Sequence, residues 1–109
     1  MDVSAQLAAL ADPTRRSIFE ALSRHPRSVT DLATRFPVSR PAVSQHLKVL
    51  QDAALVRFDR DGTRNIYEID PAGVATLRAY LDGLWTQALR DLKTLAESSY
   101  AKPKRRSQR

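Results

Sequence analysis

A short segment near the middle of the chain, residues 38–56, carries the side chains whose types and spacing best suit a binding surface. Val43, Leu47 and Leu50 recur at positions i, i+4 and i+7, which places them on one apolar face of a helix. The side chains furthest from that face are Pro41, Gln45, Lys48 and Asp52, with Ser44 on a flank and Arg40 free in the first turn. Arginine, serine and glutamine in the first two turns can hydrogen-bond base edges or phosphates in a DNA groove. An ordinary solvated polar face is the alternative.

The start of this helix is well marked. Ser39 can accept a hydrogen bond from a free amide of the first turn, and Pro41 stands where a missing amide hydrogen costs nothing. We call the helix that begins after Ser39 the recognition helix. His46 lies on the shoulder of its buried face, where packing or a phosphate hydrogen bond is favoured over base reading.

A second short helix is predicted just before the recognition helix. Residues 28–31 resemble a capping box with aspartate in place of glutamate, and the helix continues through Phe36. A turn over residues 36–38 separates the two helices. Two short helices joined by such a turn, the second with a polar outer face, form a helix-turn-helix. Small helical bundles also contain such pairs, so the pattern alone leaves DNA binding and plain packing both open.

Two β-prone runs follow the recognition helix and predict a hairpin. They cover residues 55–60 and 63–69 and flank Asp61-Gly62, a pair that tolerates the positive φ of tight hairpin turns. The arginines near the expected tip are Arg57, Arg60 and Arg64, of which Arg60 and Arg64 are the expected DNA contacts. A hairpin directly after a helix-turn-helix is the winged-helix arrangement, in which the wing contacts phosphates or the minor groove. Edge charges that only keep the strands soluble are the alternative interpretation.

Further helices are predicted on both sides of this unit. Residues 3–11 form a short alanine-rich helix, and Asp12-Pro13 begins a second helix that ends at His25-Pro26. Asp70-Pro71 begins the longest helix, which the pattern continues to about Ser98. Its apolar positions are Val74, Leu77, Leu81, Leu84, Ala88, Leu92 and Leu95, widened by Trp85 and Leu89.

The long helix carries more apolar surface than one small domain can cover. We therefore expect a dimer, in which this helix packs against its mate and against the first helix. The expected interface residues are Leu7, Leu10, Leu77, Tyr80, Leu81, Leu84, Trp85 and Ala88. Trp85 as an ordinary aromatic residue of the intrachain core is the alternative.

The composition limits the class of protein. A chain of 109 residues with 42% apolar residues suits one domain, expected over residues 1–98. There is no cysteine, which excludes disulfides and thiolate metal sites.

No apolar run approaches the ~18 residues of a membrane span, and no signal-peptide pattern begins the chain, so a cytoplasmic protein is expected. Neither a Ser/His/Asp arrangement nor a glycine-rich phosphate loop is present, so no enzyme is expected.

The net charge of +6 is unevenly distributed. Five basic residues lie within residues 102–109, which leaves +1 for residues 1–101. Residues 24–64 hold eight arginines and lysines against four aspartates, an excess around the recognition helix that fits an electrostatic footprint for DNA. Residues 99–109 are expected to form a disordered basic tail with salt-sensitive attraction to phosphate.

Five separated stretches share a family likeness: ADPTRRSIFEAL (11–22), SRPAVSQHLKVL (39–50), AALV (53–56), DGTR (61–64) and YEIDPAG (67–73). Together they resemble the ArsR family of bacterial winged-helix repressors, over about residues 3–97. The resemblance implies a homodimer, with its interface on the first and last helices, that represses transcription by occupying a palindromic operator until a signal releases it. It places operator contacts at Arg40, Pro41, Ser44 and Gln45, the face that helix geometry also selects.

Metal-sensing members of that family carry ligands that this chain lacks. Where they have a Cys-x-Cys motif before the recognition helix, this chain has TDLATRF, and its last helix offers Asp82, Asp91 and Glu97 but no histidine. The chain therefore resembles the branch without metal ligands, of the SdpR-like kind. Control there comes from a partner protein, an unknown small molecule or simple autorepression.

The expected fold is mainly α with a small β-hairpin, a dimeric winged helix-turn-helix with element order α-α-α-α-β-β-α. No metal or other cofactor is expected. The expected partners are double-stranded DNA and a second copy of the chain. A winged helix that binds only other proteins, with merely non-specific DNA affinity, is the alternative function.

Overall fold

The computed structural model of the protein describes residues 2–107, and the side chains of residues 2–99. Its elements are, in chain order, α1 (Val3–Ala11), α2 (Pro13–Arg24), β1 (Arg27–Ser28), α3 (Val29–Arg35), α4 (Arg40–Asp52), β2 (Val56–Asp61), β3 (Arg64–Ile69) and α5 (Pro71–Ser107). This order confirms the predicted class, mainly helical with a winged helix-turn-helix. The recognition helix is α4, and β2 with β3 forms the wing. The short strand β1 was not predicted.

The chain separates into two compact units, Met1–Leu77 and Arg78–Arg109. The first unit holds α1 to β3 and the start of α5, and the second holds the rest of α5. The helix α5 extends to Ser107, beyond the predicted end near Ser98. The predicted disordered tail covers residues 99–109, and α5 includes its backbone as far as Ser107. The side chains from residue 100 onward lie outside the described residues, so the attraction of the tail to phosphate stays a prediction.

Polar side chains begin the first four helices. The N-caps are Asp2, Asp12, Ser28 and Ser39, whose side chains accept hydrogen bonds from the amides of Ser4, Arg15, Asp31 and Ala42 at 2.9, 2.8, 3.1 and 3.2 Å. Each bond satisfies one amide of a first turn that has no partner within the helix. The predicted capping box at Ser28 is only half formed, because the Asp31 carboxylate accepts hydrogen bonds from Arg27 and Arg35 instead.

The core of the first unit is built from the predicted apolar faces. Its buried apolar residues are Ala9, Ile18, Ala21, Leu22, Leu32, Val43, Leu47, Leu50, Ala53, Leu55, Val56 and Leu77. Val43, Leu47 and Leu50 of α4 are completely buried, as predicted. Leu77 was predicted at a dimer interface, but it is only 7% exposed because the chain itself covers it.

The turn of the wing lies one residue later than predicted. In the antiparallel pair of β2 and β3, Val56 lies opposite Ile69 and Asp61 lies opposite Arg64. The turn therefore consists of Gly62 and Thr63, not of Asp61 and Gly62 as predicted. Gly62 has a φ of +65° and Thr63 does not have a positive φ. A positive φ at the first turn residue alone is typical of a type II′ hairpin turn.

The short strand β1 joins the wing to the helix-turn-helix. The sheet order is β1-β3-β2, with Arg27 opposite Tyr67 and Ser28 opposite Ile66. Because Ser28 is also the N-cap of α3, the wing and the first helix of the helix-turn-helix share one junction. Two residues are too few to show the alternation by which strands are predicted.

The start of α5 lies in close contact with the end of α4. A Cβ atom built at Gly73 would lie 1.4 Å from the carbonyl oxygen of Ala54, which itself has an unusual φ of +61°. Gln6 of α1 is completely buried and donates a hydrogen bond from Nε2 to the Gly73 carbonyl at 2.9 Å. The helices α1, α4 and α5 therefore meet at one point that only glycine can occupy.

We predict that Gly73→Ala lowers the free energy of unfolding by about 3 kcal/mol, because the backbone must move to admit the methyl group. Urea unfolding measures this loss. Gly83→Ala is the matched control: nothing lies within 4 Å of a Cβ built there, and alanine is the better helix former by ~1 kcal/mol. The control should be as stable as the wild type or more so. An unchanged urea midpoint for Gly73→Ala would contradict the contact.

Candidate nucleic-acid interface

The predicted polar face of α4 is exposed in the structure. Arg40, Pro41, Ser44, Gln45 and Lys48 are all exposed, whereas the opposite face of the helix is buried in the core. The Ser39 side chain accepts a hydrogen bond from the Ala42 amide and so stabilises the first turn, which contains Arg40 and Pro41. This helix thus presents a row of hydrogen-bonding side chains on a rigid support.

His46 differs from these residues because it is half buried. Its Nδ1 is buried without a hydrogen-bond partner among the described residues. The ring lies near Asp12, whose pKa is held below its usual range, first by the hydrogen bond from the Arg15 amide and to a lesser extent by the nearby side chains of Arg15 and His46. This position suits packing, one of the two roles that the sequence favoured over base reading, and the other, a phosphate hydrogen bond, stays a prediction.

A cleft of about 410 Å³ lies between α4, the start of α3 and the wing. Its lining residues are Ser28, Val29 and Thr30, then Arg40, Pro41 and Ser44 of α4, then Thr63, Arg64 and Asn65 of the wing. Four of the predicted site residues meet there, namely Arg40, Pro41, Ser44 and Arg64. Thr30, Thr63 and Asn65 were missed, because lone polar residues near a turn or a helix start carry no periodic signal.

The three arginines of the wing, of which Arg60 and Arg64 were the expected DNA contacts, have different surroundings. Arg57 is paired with Glu68 across the strands at 3.0 Å. Arg60 is exposed and has no ion-pair partner among the described residues. Arg64 lines the cleft, and its pair with Asp61 is loose at 3.9 Å. Only Arg64 therefore shares a cleft with the recognition helix.

Ion pairs neutralise part of the positive charge around α4. Asp31 binds Arg27 at 3.1 Å and Arg35 at 3.2 Å, and these two guanidinium groups, Arg27 first, hold the pKa of its carboxyl below the usual range. Lys48 is paired with Asp52 at 3.6 Å. Such exposed pairs contribute only ~0–1 kcal/mol each, so a phosphate group can compete for the lysine.

Arg40 has no ion-pair partner among the residues that the structure describes. It stands in the first turn of α4 and lines the cleft. A free guanidinium at this point is available for an incoming anion without breaking an internal pair.

The residues predicted at a dimer interface, apart from the buried Leu77 and the half-buried Leu10, are exposed. They are Leu7, Tyr80, Leu81, Leu84, Trp85 and Ala88. Trp85 is 65% exposed, so the alternative of an intrachain core aromatic is wrong for the described chain. Leu89, Leu92 and Leu95 of α5 are exposed as well. A row of large apolar side chains of this length is unusual on the surface of a monomer.

The described residues lack two further kinds of feature, a metal cluster and a membrane-spanning helix. No group of three or more histidine, aspartate or glutamate side chains there is arranged to hold a metal ion. None of the helices in that part of the chain combines the length and the apolar character that a membrane crossing requires.

A family model described as a helix-turn-helix domain matches residues 10–57. The chain is 54% identical to the HTH-type transcriptional regulator Rv2034 of Mycobacterium tuberculosis over 90 residues, which cover 83% of this chain and 84% of that protein. It is 34% identical to the transcriptional repressor SdpR of Bacillus subtilis over 62 residues, 57% of this chain and 69% of that one.

A solved structure is similar over most of the chain. It is the homodimeric winged helix-turn-helix DNA-binding domain Mb0332 of Mycobacterium bovis, described as a possible ArsR-family transcriptional regulator. The TM-score is 0.64 at 30% identity, over 78% of this chain and 79% of that chain.

The Asp31 ion pairs predict a pH dependence. Asp31→Asn should unfold at a lower temperature than the wild type at neutral pH, because the charged carboxylate stabilises the fold. Since the folded pKa is lowered, this stabilisation is present above the usual aspartate pKa of ~3.9 and is lost as the pH falls through the folded value. The difference in unfolding temperature should shrink as the pH falls below about 5. Calorimetry that shows a constant difference over this range would contradict the prediction.

Proposed function

This chain belongs to the ArsR family of winged helix-turn-helix transcriptional regulators, and from that membership we propose that it is a homodimeric repressor of a palindromic operator. We propose further that it carries no metal-sensing site. The observation that carries the proposal is the exposed polar face of α4 beside the wing. The opposite face of the same helix is fully buried, so this surface is presented in one orientation.

The side chains on α4 match the chemistry of base recognition. Gln45 can bond an adenine through two atoms at once, and Ser44 can donate to or accept from several base edges. Arg40 suits either a guanine or a phosphate, and Lys48 suits a phosphate. The major groove of B-DNA admits one α-helix, so α4 is the element that enters it.

The wing supplies contacts of a different kind. Arg60 and Arg64 stand near its tip, where they can bind phosphates or enter the minor groove next to the recognition helix. Such contacts position the protein and carry little sequence information. The wing is therefore proposed to add affinity, and α4 to add specificity.

A homodimer is proposed because of the apolar row on α5. Burial of such side chains contributes ~1.5–3 kcal/mol each, which favours a partner that covers them. The similar structure from Mycobacterium bovis is described as homodimeric, which supports the same assembly here. A twofold dimer presents two recognition helices to successive major grooves, so the operator half-sites should lie ~10 bp apart.

Repression is proposed to respond to something other than a metal. The chain has no cysteine, and α5 offers Asp82, Asp91 and Glu97 without a histidine. Zinc and similar metals favour nitrogen and sulfur ligands, which are missing from these positions. A partner protein, a small molecule or simple autorepression is proposed instead, in the cytoplasm and on the nucleoid when the protein is bound to DNA.

A gel shift with the DNA upstream of the protein's own gene, at rising salt, tests the proposal. We predict that the specific complex persists well above the salt concentration that removes bulk duplex. A winged helix that serves only protein contacts would bind the upstream DNA and bulk duplex with the same affinity. It would dissociate from both at the same salt concentration. That result would refute the proposed function.

We predict different losses for α4 and the wing. Gln45→Ala should weaken binding by ~1–3 kcal/mol at particular base pairs, whereas Arg64→Ala should weaken binding evenly on all sequences. Gln51→Ala, an exposed glutamine further along α4, is the control and should bind like the wild type. Binding to a set of operators with single base changes measures the pattern. Equal losses on every sequence for both variants would refute this division of roles.

The proposed dimer predicts a change in mass. Trp85→Ala and Leu81→Asp should each shift the protein toward the monomer in sedimentation, because they remove or charge the exposed apolar row. Phe58→Ala is the matched control, since Phe58 is 44% exposed but lies on the wing. Unchanged mass for both α5 variants would show that the interface lies elsewhere.

A further inference from the structure

The cleft between α4, the start of α3 and the wing has the lining of a phosphate site. We propose that it binds one phosphodiester of the DNA backbone in each half-site, with Thr30 and Asn65 as neutral hydrogen-bond donors beside the two arginines. This inference rests on the proposed function, because it names the part of the DNA that the cleft takes. Thr30 and Asn65 were not among the residues predicted from the sequence.

Most of the residues that line the cleft carry a side-chain hydrogen-bond donor. The donors are the guanidinium groups of Arg40 and Arg64, the hydroxyl groups of Ser28, Thr30, Ser44 and Thr63, and the amide of Asn65, and Val29 and Pro41 complete the lining. No carboxylate is among the lining residues in the described part of the chain. A phosphate group offers only hydrogen-bond acceptors and carries a negative charge. Donors form stronger hydrogen bonds with charged acceptors than with neutral ones.

The position of the cleft also favours the DNA backbone. The sugar-phosphate strand is the boundary between a major groove and the neighbouring minor groove. If α4 enters the one and the wing approaches the other, that strand must pass between them. The cleft lies between these two elements, with Ser44 on one wall and Asn65 on the other.

The walls are held together without DNA. Ser28 begins α3 as its N-cap and pairs with Ile66 of β3, the neighbour of Asn65. Thr30 lies in the first turn of the same α3, so this pairing sets the spacing between Thr30 and Asn65. A site that is already ordered spends less binding energy on fixing its side chains.

The arginines of the cleft are free to bind an anion. Arg40 has no ion-pair partner among the described residues, and the pair of Arg64 with Asp61 is loose at 3.9 Å between side chains that are 63% and 74% exposed. An exposed pair of this kind is weak. The two arginines are therefore expected to supply the salt-dependent part of the binding, and Thr30 and Asn65 a part that does not depend on salt.

The test combines protein variants with an altered operator. Thr30→Val and Asn65→Ala should each weaken operator binding about tenfold, with an unchanged unfolding temperature. The slope of log K against log salt should stay at the wild-type value, because neither residue carries a charge, whereas Arg64→Gln should reduce it by about one.

Operators in which one phosphate at a time is replaced by a neutral methylphosphonate then locate the contact. At one position in each half-site the loss from the methylphosphonate and the loss from Thr30→Val should not add, because both remove the same hydrogen bond. The controls are Thr34→Val, whose hydroxyl bonds to the Asp31 carbonyl at 2.7 Å outside the cleft, and Gln51→Ala. Both should bind like the wild type.

The outcomes separate the two proposals. The phosphate site would be overturned if Thr30→Val and Asn65→Ala bound the operator with unchanged affinity, or if their losses added to the methylphosphonate losses at every phosphate. Specific binding by the wild type would still support the proposed function in that case. A different result would assign the cleft to a free phosphorylated molecule and overturn the backbone assignment. In that result inorganic phosphate competes with the operator at constant ionic strength, and the Thr30→Val loss adds to the methylphosphonate loss at every position. Loss of operator discrimination by the wild type would overturn the proposed function itself.

Discussion

The burial of one face of α4 is the contact on which the rest of the structure depends. Val43, Leu47 and Leu50 are completely covered, and side chains of this size contribute ~1.5–3 kcal/mol each on burial. The ion pair on the helix itself, between Lys48 and Asp52, is exposed, and such a pair contributes only ~0–1 kcal/mol. Packing therefore sets the rotation of α4 about its axis, and the exposure of Ser44 and Gln45 follows from that rotation.

Two junctions then determine where the neighbouring elements leave this core. At one, the pairing of Ser28 with Ile66 joins α3 to the wing. At the other, Gly73 lies against Ala54 and accepts a hydrogen bond from the buried Gln6. The positive φ of Ala54 is of the kind that persists only where surrounding contacts enforce it. The first junction is made of backbone, and the second of backbone and the buried Gln6 side chain, so neither depends on side chains that face solvent.

The described chain has two kinds of exposed surface, one charged and one apolar. Of the eight basic residues between positions 24 and 64, five have acidic partners in the described chain, and Arg24, Arg40 and Arg60 do not. On α5 the exposed groups are large and apolar instead. The first kind of surface suits a charged polymer and the second suits another protein surface, which is consistent with a regulator that binds DNA and its own copy.

The sequence by itself determined the features that are encoded within a few residues. The helix starts at Asp12-Pro13 and at Ser39 and the apolar period of α4 are local signals, and each appears where it was predicted. The hairpin is a local signal too, although its turn lies one residue later than predicted. Only the tertiary structure decided the pairing of β1, the burial of Leu77, and the meeting of Thr30, Arg40 and Asn65 in one cleft. These depend on contacts between residues far apart in the chain, and no local period or motif records such contacts, because their free energy arises only when separate elements pack together.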